Sequence, residues 1–260
     1  MDLKIIKPDL LKEFKSKINF NPLDIVNSLE KIDLPVDYFQ FYKSVSSVYS
    51  SKIEGEKIDF DSYFKHKFLN VKYQPGYTKK ADDLYRAYEF IEENTLNLEN
   101  LKKAHSILTS NLLPENKQGL IRTIPMFVLN NDDLIEYVAA PPQIVKQEVN
   151  KLFNDIETLI NMELKPWEIF YFASFIHLIF VKIHPFLDGN GRTARLLEKW
   201  FLMEKAGKKA ISIQLEKNYF ENLNDYYYNL KKSGLEYESI DYNKSLDFLL
   251  MTIFKKSYYG

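Results

Sequence analysis

Residues 167–181 read WEIFYFASFIHLIFV, a run that is apolar on nearly every side and broken by Glu168 and His177. Its fifteen residues are too few to cross a bilayer, which takes about 20. A helix that is hydrophobic all round otherwise belongs inside a protein core. The run therefore predicts a central buried helix, opened by Pro166, whose missing N–H suits a first helical position. Such a helix has to be wrapped by other helices, and 260 residues are enough to do this within one large domain. The expected class is all-α.

The rest of the chain supports that reading. Residues 36–54 carry Tyr38, Tyr42, Val45, Val48 or Tyr49, and Ile53 at helical spacing, with Gly55 stopping the run. Residues 78–94 and 97–113 predict two more helices, the second ended by Pro114. The texture changes at 119–142, where short β-prone runs at 126–129 and 134–138 flank Asn-Asn-Asp-Asp. That pattern predicts a hairpin, and Pro125 and Pro141-Pro142 isolate it from any larger sheet. It is expected on the surface with an unpaired edge. Helices resume over 143–162, and after residue 192 a further helix is closed by Gly207; the last fifty residues predict two or three more.

Bulk properties exclude several functions. A net charge of −1 lacks the electrostatic footprint of a nucleic-acid binder, and the cluster Lys205, Lys208 and Lys209 reads as a solvated face. With no cysteine there is neither a disulfide framework nor thiol chemistry. The first ten residues, MDLKIIKPDL, have no signal-peptide core. A cytoplasmic address is expected, without membrane or nucleic-acid partners.

The chemistry concentrates in residues 184–195, HPFLDGNGRTAR, directly after the apolar run. Pro185 biases His184 out of helical geometry, so the central helix should end there. Gly189, Asn190 and Gly191 permit left-handed conformations that let successive N–H groups converge on an anion. The next helix begins at that point, and its free N–H groups add to the pull on a phosphate. Arg192 and Arg195 lie i,i+3 on it, able to supply forked donors from one face. Asp188 is a lone carboxylate, and Mg²⁺ is commonly held by one or two carboxylates plus substrate phosphates. The loop is no Walker A motif, since Gly-Lys-Ser/Thr is absent. Of the other histidines, His66 and His105 read as caps or surface groups and His177 as a satisfied core residue.

This stretch resembles the signature of the Fic (Fido-fold) family, HPFx(D/E)GNGRxxR, and matches it at every defined position. The resemblance covers roughly residues 99–250 and implies a mostly helical Fido fold with one surface β-hairpin flap. The domain arrangement it suggests is an N-terminal helical region (1–98) carrying an inhibitory helix at about 37–54, a catalytic core (99–250) and a tail (251–260). The implied reaction is transfer of AMP from ATP to a Tyr, Ser or Thr hydroxyl of a protein. By the resemblance His184 is the general base, and Asp188 holds Mg²⁺, for which Mn²⁺ can substitute. Gly189, Asn190 and Gly191 cradle the phosphates, while Arg192 and Arg195 grip the β- and γ-phosphates. Phe186 plugs the loop into the core.

Three further assignments follow from the same resemblance. The hairpin, residues 120–138, is a flap that docks a protein target by strand addition; self-modification is expected, and assembly as a homo-oligomer stays open. Ser50, Glu54 and Gly55 in SSKIEG fit the inhibitory pattern (S/T)xxxE(G/N), which implies that Glu54 ties up Arg195 and blocks productive ATP binding. Tyr227, within Tyr226–Tyr228, is the residue expected to face adenine. The competing readings are the reverse reaction, with Glu54 positioning water to remove AMP, and a helical interaction module that binds nucleotide without turnover.

Overall fold

The apolar run becomes a helix from Pro166 to Ile183, buried without a break from Ile169 onward. Length and composition would let it cross a membrane, yet 83% of it is buried inside the protein. Glu168 accepts the Lys165 N–H at 2.7 Å and so fixes its start. The computed structural model describes residues 2–29, 33–74, 76–129 and 135–253.

Among these residues the chain forms helices α1 (Leu11–Ser16), α2 (Asp24–Leu29), α3 (Tyr38–Ile53), α4 (Phe60–Leu69), α5 (Lys79–Glu93) and α6 (Leu98–Leu108). A hairpin of β1 (Phe127–Leu129) and β2 (Ile135–Val138) follows. Then come α7 (Pro142–Asn161), α8 (Pro166–Ile183), α9 (Asn190–Ala206), α10 (Leu215–Glu221), α11 (Leu223–Lys232) and α12 (Leu246–Leu250). The fold is all-α apart from the hairpin.

The central helix α8 packs against α9, α7, α1 and α12. One core cluster runs from Ile5 to Ile253, so the N-terminal helices and the remainder share a single interior. The N-terminus is sewn to α7 by Asp155, whose carboxylate accepts the N–H groups of Lys4, Ile5 and Ile6 at 2.7, 2.8 and 2.9 Å. In the segment expected as a tail, Thr252 and Ile253 are buried; residues 254–260 lie outside the described residues.

Helix α3 departs most from its sequence reading. Tyr42, Val45, Val48 and Ile53 are buried as their spacing suggests, but Ser44, Ser46, Ser47, Ser50 and Ser51 are buried with them. The helix is enclosed by α4, α5, α9 and α10. Serines permit this because they are small and can return their hydroxyls to the helix itself: Ser44 and Ser47 donate to the Gln40 and Lys43 carbonyls. Ser46 instead donates to Glu216 on α10 at 3.0 Å, within a buried group that also holds Lys199 of α9 and the Tyr88 hydroxyl. These polar contacts fix where α3 meets α9, and therefore where its C-terminus points.

The hairpin has its strands close to the expected positions, paired antiparallel with Phe127 opposite Val138 and Val128 opposite Tyr137; its Asn-Asn-Asp-Asp tip lies outside the described residues. It does not simply rest on the surface. The pairing shifts so that Leu129 faces Ile135, which leaves one extra residue on β2. Such a bulge re-aims side chains: Ile135 is 46% exposed while Tyr137, two residues on, is 5% exposed. The outer edge of β2 is partly covered, since Val138 N–H donates to the Leu235 carbonyl at 2.7 Å.

Candidate active site

The loop between α8 and α9 is pinned residue by residue. His184 terminates α8 in the left-handed region (φ 52°, ψ 62°), one of two non-glycine residues with positive φ among those described, the other being Asn70. Backbone in that region costs about 1–3 kcal/mol and persists only where its surroundings over-determine it. Arg122, itself buried, supplies much of the constraint. Its Nε donates to the His184 carbonyl at 2.6 Å, and its Nη2 to those of Ala140 and Ile183 at 2.6 and 3.1 Å. Its Nη1 donates to Ile124 O at 2.6 Å. A guanidinium is well placed at a helix C-terminus, where the carbonyl dipoles favour a cation.

Beyond His184, Phe186 is fully buried and stacks on His105 with ring centroids 3.7 Å apart. The Asn190 side chain closes the loop by accepting Phe186 N–H at 2.8 Å and donating to Phe186 O at 2.9 Å. What Asn190 can offer an anion is therefore its backbone N–H, not its amide. Gly189 (φ +76°) has no room for a side chain: a Cβ there would sit 2.8 Å from Thr109 Cγ2. His105 is no cap or surface group, contrary to the expectation from its sequence position. It is fully buried, its Nδ1 accepts the Gly119 N–H at 2.8 Å, and its Nε2 consequently donates to the Asp188 carbonyl at 2.9 Å. Burial holds its imidazole down to about 4, against the pull of the Asp188 carbonyl.

The His184 side chain is half-buried. Its Nδ1 lies 3.0 Å from the Tyr137 hydroxyl and 3.2 Å from the Val181 carbonyl. Burial lowers its pKa to about 4, and the Arg122 charge adds to this, while the Val181 carbonyl and Glu54 pull the other way. The ring is thus neutral at neutral pH, the form in which an imidazole can accept a proton.

At the head of α9 the N–H groups of the first turn have no intrahelical acceptor and face the C-terminus of α3. That terminus is a Schellman motif: Gly55 (φ +84°) donates its N–H to Lys52 O, and Glu56 donates to Ser51 O at 3.1 Å. The turn carries Glu54 onto α9. Arg195, 1% exposed, meets the Glu54 carboxylate at 2.6 Å, and its Nε and Nη2 donate to the Ser50 hydroxyl and carbonyl at 2.9 and 3.1 Å. The carboxylate also lies over Gly191, where a Cβ would come within 2.6 Å of Oε1. Burial pushes the Glu54 carboxyl up, but Arg195 and Arg192 outweigh it and hold the group below the usual carboxylate range.

Arg192 is differently placed. It is buried, with a 3.8 Å approach to Glu56, and its Nε has no hydrogen-bond partner. A buried guanidinium N–H without an acceptor is costly and fits a site completed by an anion. Asp188 is exposed, its carboxylate accepting the Gly189 N–H at 2.6 Å. Tyr227, 41% exposed, donates its hydroxyl to Ile53 O at 3.3 Å at the end of α3. Its neighbour Tyr226 goes inward, its hydroxyl 3.0 Å from His177 Nε2 and 3.5 Å from Arg195 Nη1. His177 is the satisfied core histidine expected, fully buried and 2.7 Å from Glu198.

The Fic/DOC family profile matches residues 95–202, the stretch that contains the flap, the pinned loop and both arginines. Residues 95–202 thus match the Fic/DOC family. Protein adenylyltransferase Fic of Nematostella vectensis is 36% identical over 99 residues, covering 38% of this chain and 21% of that protein. Protein adenylyltransferase fic-1 of Caenorhabditis elegans is 25% identical over 133 residues, covering 51% of this chain and 24% of that protein. The chain thus spans a quarter or less of the length of these curated relatives.

Likeness in fold extends further than likeness in sequence. A Fic family protein from Desulfovibrio desulfuricans G20 superposes with a TM-score of 0.69 at 19% identity, covering 97% of this chain and 73% of that one. Fic-1 of C. elegans superposes with a TM-score of 0.67 at 17% identity, covering 94% and 70%. The family profile leaves out α3 with Glu54, and α11 with Tyr226 and Tyr227, but the superpositions span nearly the whole chain. The fold shared with these structures therefore includes the N-terminal helices.

Proposed function

We propose that this protein is an autoinhibited protein adenylyltransferase of the Fic family, moving AMP from ATP to a Tyr, Ser or Thr hydroxyl of a protein, itself included. The observation that carries the reading is the Glu54 carboxylate 2.6 Å from Arg195 at the N-terminus of α9, a few residues from a neutral imidazole. An anion already occupies the place where a helix terminus and two arginines would receive a phosphate. While Glu54 holds Arg195, the γ-phosphate loses its forked donor and ATP binds without the geometry for transfer.

In the released state His184 Nε2 takes the proton of the target hydroxyl as its oxygen bonds to the α-phosphorus. The bond from that phosphorus to the bridging oxygen breaks, and pyrophosphate leaves towards Arg192 and Arg195. The donor set fits a divalent cation only together with the nucleotide. Asp188 is one carboxylate, and among the described residues no group of three or more acidic or histidine side chains could hold an ion by itself. Asp188 with the α- and β-phosphates would hold Mg²⁺ or Mn²⁺, which when bound neutralises charge building on the phosphates. The target would lie along the flap, where β1 has no partner other than β2 among the described residues and can accept an added strand.

The test uses ATP labelled at the α- or the γ-phosphate with wild type and Glu54→Gly. The reading expects protein-bound label from α-labelled ATP only, and more of it in the variant. Label from the γ-position would instead indicate phosphate transfer. Loss of AMP from a pre-adenylylated target with wild type, but not with Glu54→Gly, would favour the reverse reaction.

A further inference from the structure

Three polar atoms meet behind the His184 ring. The Tyr137 hydroxyl oxygen is 3.0 Å from His184 Nδ1, the same hydroxyl is 3.1 Å from the Val181 carbonyl oxygen, and Nδ1 is 3.2 Å from that carbonyl. They form a triangle in which the carbonyl can only accept. If Nδ1 carried a lone pair, it would face the carbonyl lone pairs at 3.2 Å, and the single Tyr137 proton would have to choose between them. If Nδ1 carries the proton, the hydroxyl donates to Val181 O, Nδ1–H is shared between the hydroxyl and Val181 O, and every edge is attractive. The triangle therefore selects the Nδ1–H tautomer and leaves the lone pair on Nε2.

Tyr137 is held where this requires. It is 5% exposed, aimed inward by the bulge on β2, with Lys182 Nζ over its ring at 4.6 Å from the centroid. We propose that Tyr137 is a positioning residue for His184: a flap side chain that, together with the Val181 carbonyl, holds the ring orientation of the base with Nδ1 protonated, and so ties the flap to the proton-accepting nitrogen. This rests on the adenylyltransferase reading for its catalytic consequence, but the tautomer itself does not. Because Tyr137 lies opposite Val128 on β1, a segment added beside β1 and the base it must reach are referenced to the same strand pair.

The experiment compares Tyr137→Phe with its parent in two ways. In the Glu54→Gly background, kcat should fall about 5- to 10-fold, the scale of one neutral hydrogen bond, with KM for ATP unchanged. In the full chain labelled with ¹⁵N-histidine, the four rings are assigned with His184→Ala as reference. His184 should show a protonated Nδ1 and an unprotonated Nε2 in wild type. In Tyr137→Phe the Val181 carbonyl still accepts from Nδ1–H, so Nδ1 should stay protonated while its shift moves on loss of the hydroxyl contact, with the thermal melting profile retained as a check on folding. A wild-type His184 protonated on Nε2, or identical ring shifts and kcat in Tyr137→Phe, overturns the proposal. If no variant transfers AMP while the shifts behave as described, the reading of the reaction fails and the positioning of His184 stands.

Discussion

Two segments converge on the head of α9, and they are held in opposite ways. The loop 184–190 is fastened along its whole length by buried partners: Arg122 on its first carbonyl, His105 against Phe186 and Asp188, and Asn190 across Phe186. The end of α3 arrives through a helix terminus, and its Glu54 side chain is still 26% exposed beside an Arg195 that is 1% exposed. Moving the first segment would break buried hydrogen bonds at several residues at once. The second can let go, because a released carboxylate regains water and a released Schellman turn keeps its backbone bonds. On the proposed reading, the loop carries the chemistry and the end of α3 carries the restraint, through one partly exposed carboxylate.

Substitutions can break or sharpen that contrast. The largest effect is expected from His184→Ala in the Glu54→Gly background, where AMP incorporation should fall about 10²- to 10⁴-fold, the range of a positioned general base. Asn190→Ala should come next, and as a folding defect. It strands the buried N–H and C=O of Phe186, at about 1–3 kcal/mol for each unsatisfied group, and a lowered denaturation midpoint in urea would register it. Glu54→Gly leaves buried Arg195 on its Ser50 contacts but without its counter-charge, so it should lower that midpoint less than Asn190→Ala does while raising AMP incorporation by about 10- to 100-fold, the scale of one charge-assisted hydrogen bond. If Glu54→Gly destabilises the protein as much as Asn190→Ala does, the two segments are not different in kind.

The smallest effect is expected from Glu56→Gln. Glu56 reaches Arg192 only at 3.8 Å and shares its charge with Lys80 at 2.5 Å. Its removal should raise incorporation a few-fold at most, in keeping with partly exposed pairs worth about 0–1 kcal/mol. Measured alongside Glu54→Gly, it shows whether restraint resides in one carboxylate or in both.

What the sequence made legible was local. The apolar run announced α8 through its period and its proline, and the charged corner after it announced an anion site through spacing within twelve residues. The contacts that hold this corner were not legible because they come from far along the chain. Arg122 is about sixty residues before His184 and lies in a stretch that reads as loop. His105 sits near the end of an ordinary amphipathic helix, and nothing in its neighbours announces that its ring will be stacked on Phe186. Tyr137 was hidden by the bulge, since strict alternation would have put it on the face of the exposed Ile135. The apolar spacing of α3 said nothing of its serines, whose small size is what lets α3 approach α9.

The most direct test of the central claim, that residues 184–195 hold ATP for transfer and Glu54 withholds Arg195 from it, is intact-mass spectrometry of purified Glu54→Gly protein after incubation with ATP and Mg²⁺. The account predicts the added mass of one or more AMP units, little on wild type and none on Glu54→Gly carrying His184→Ala. An unmodified Glu54→Gly protein that nevertheless binds ATP would contradict it.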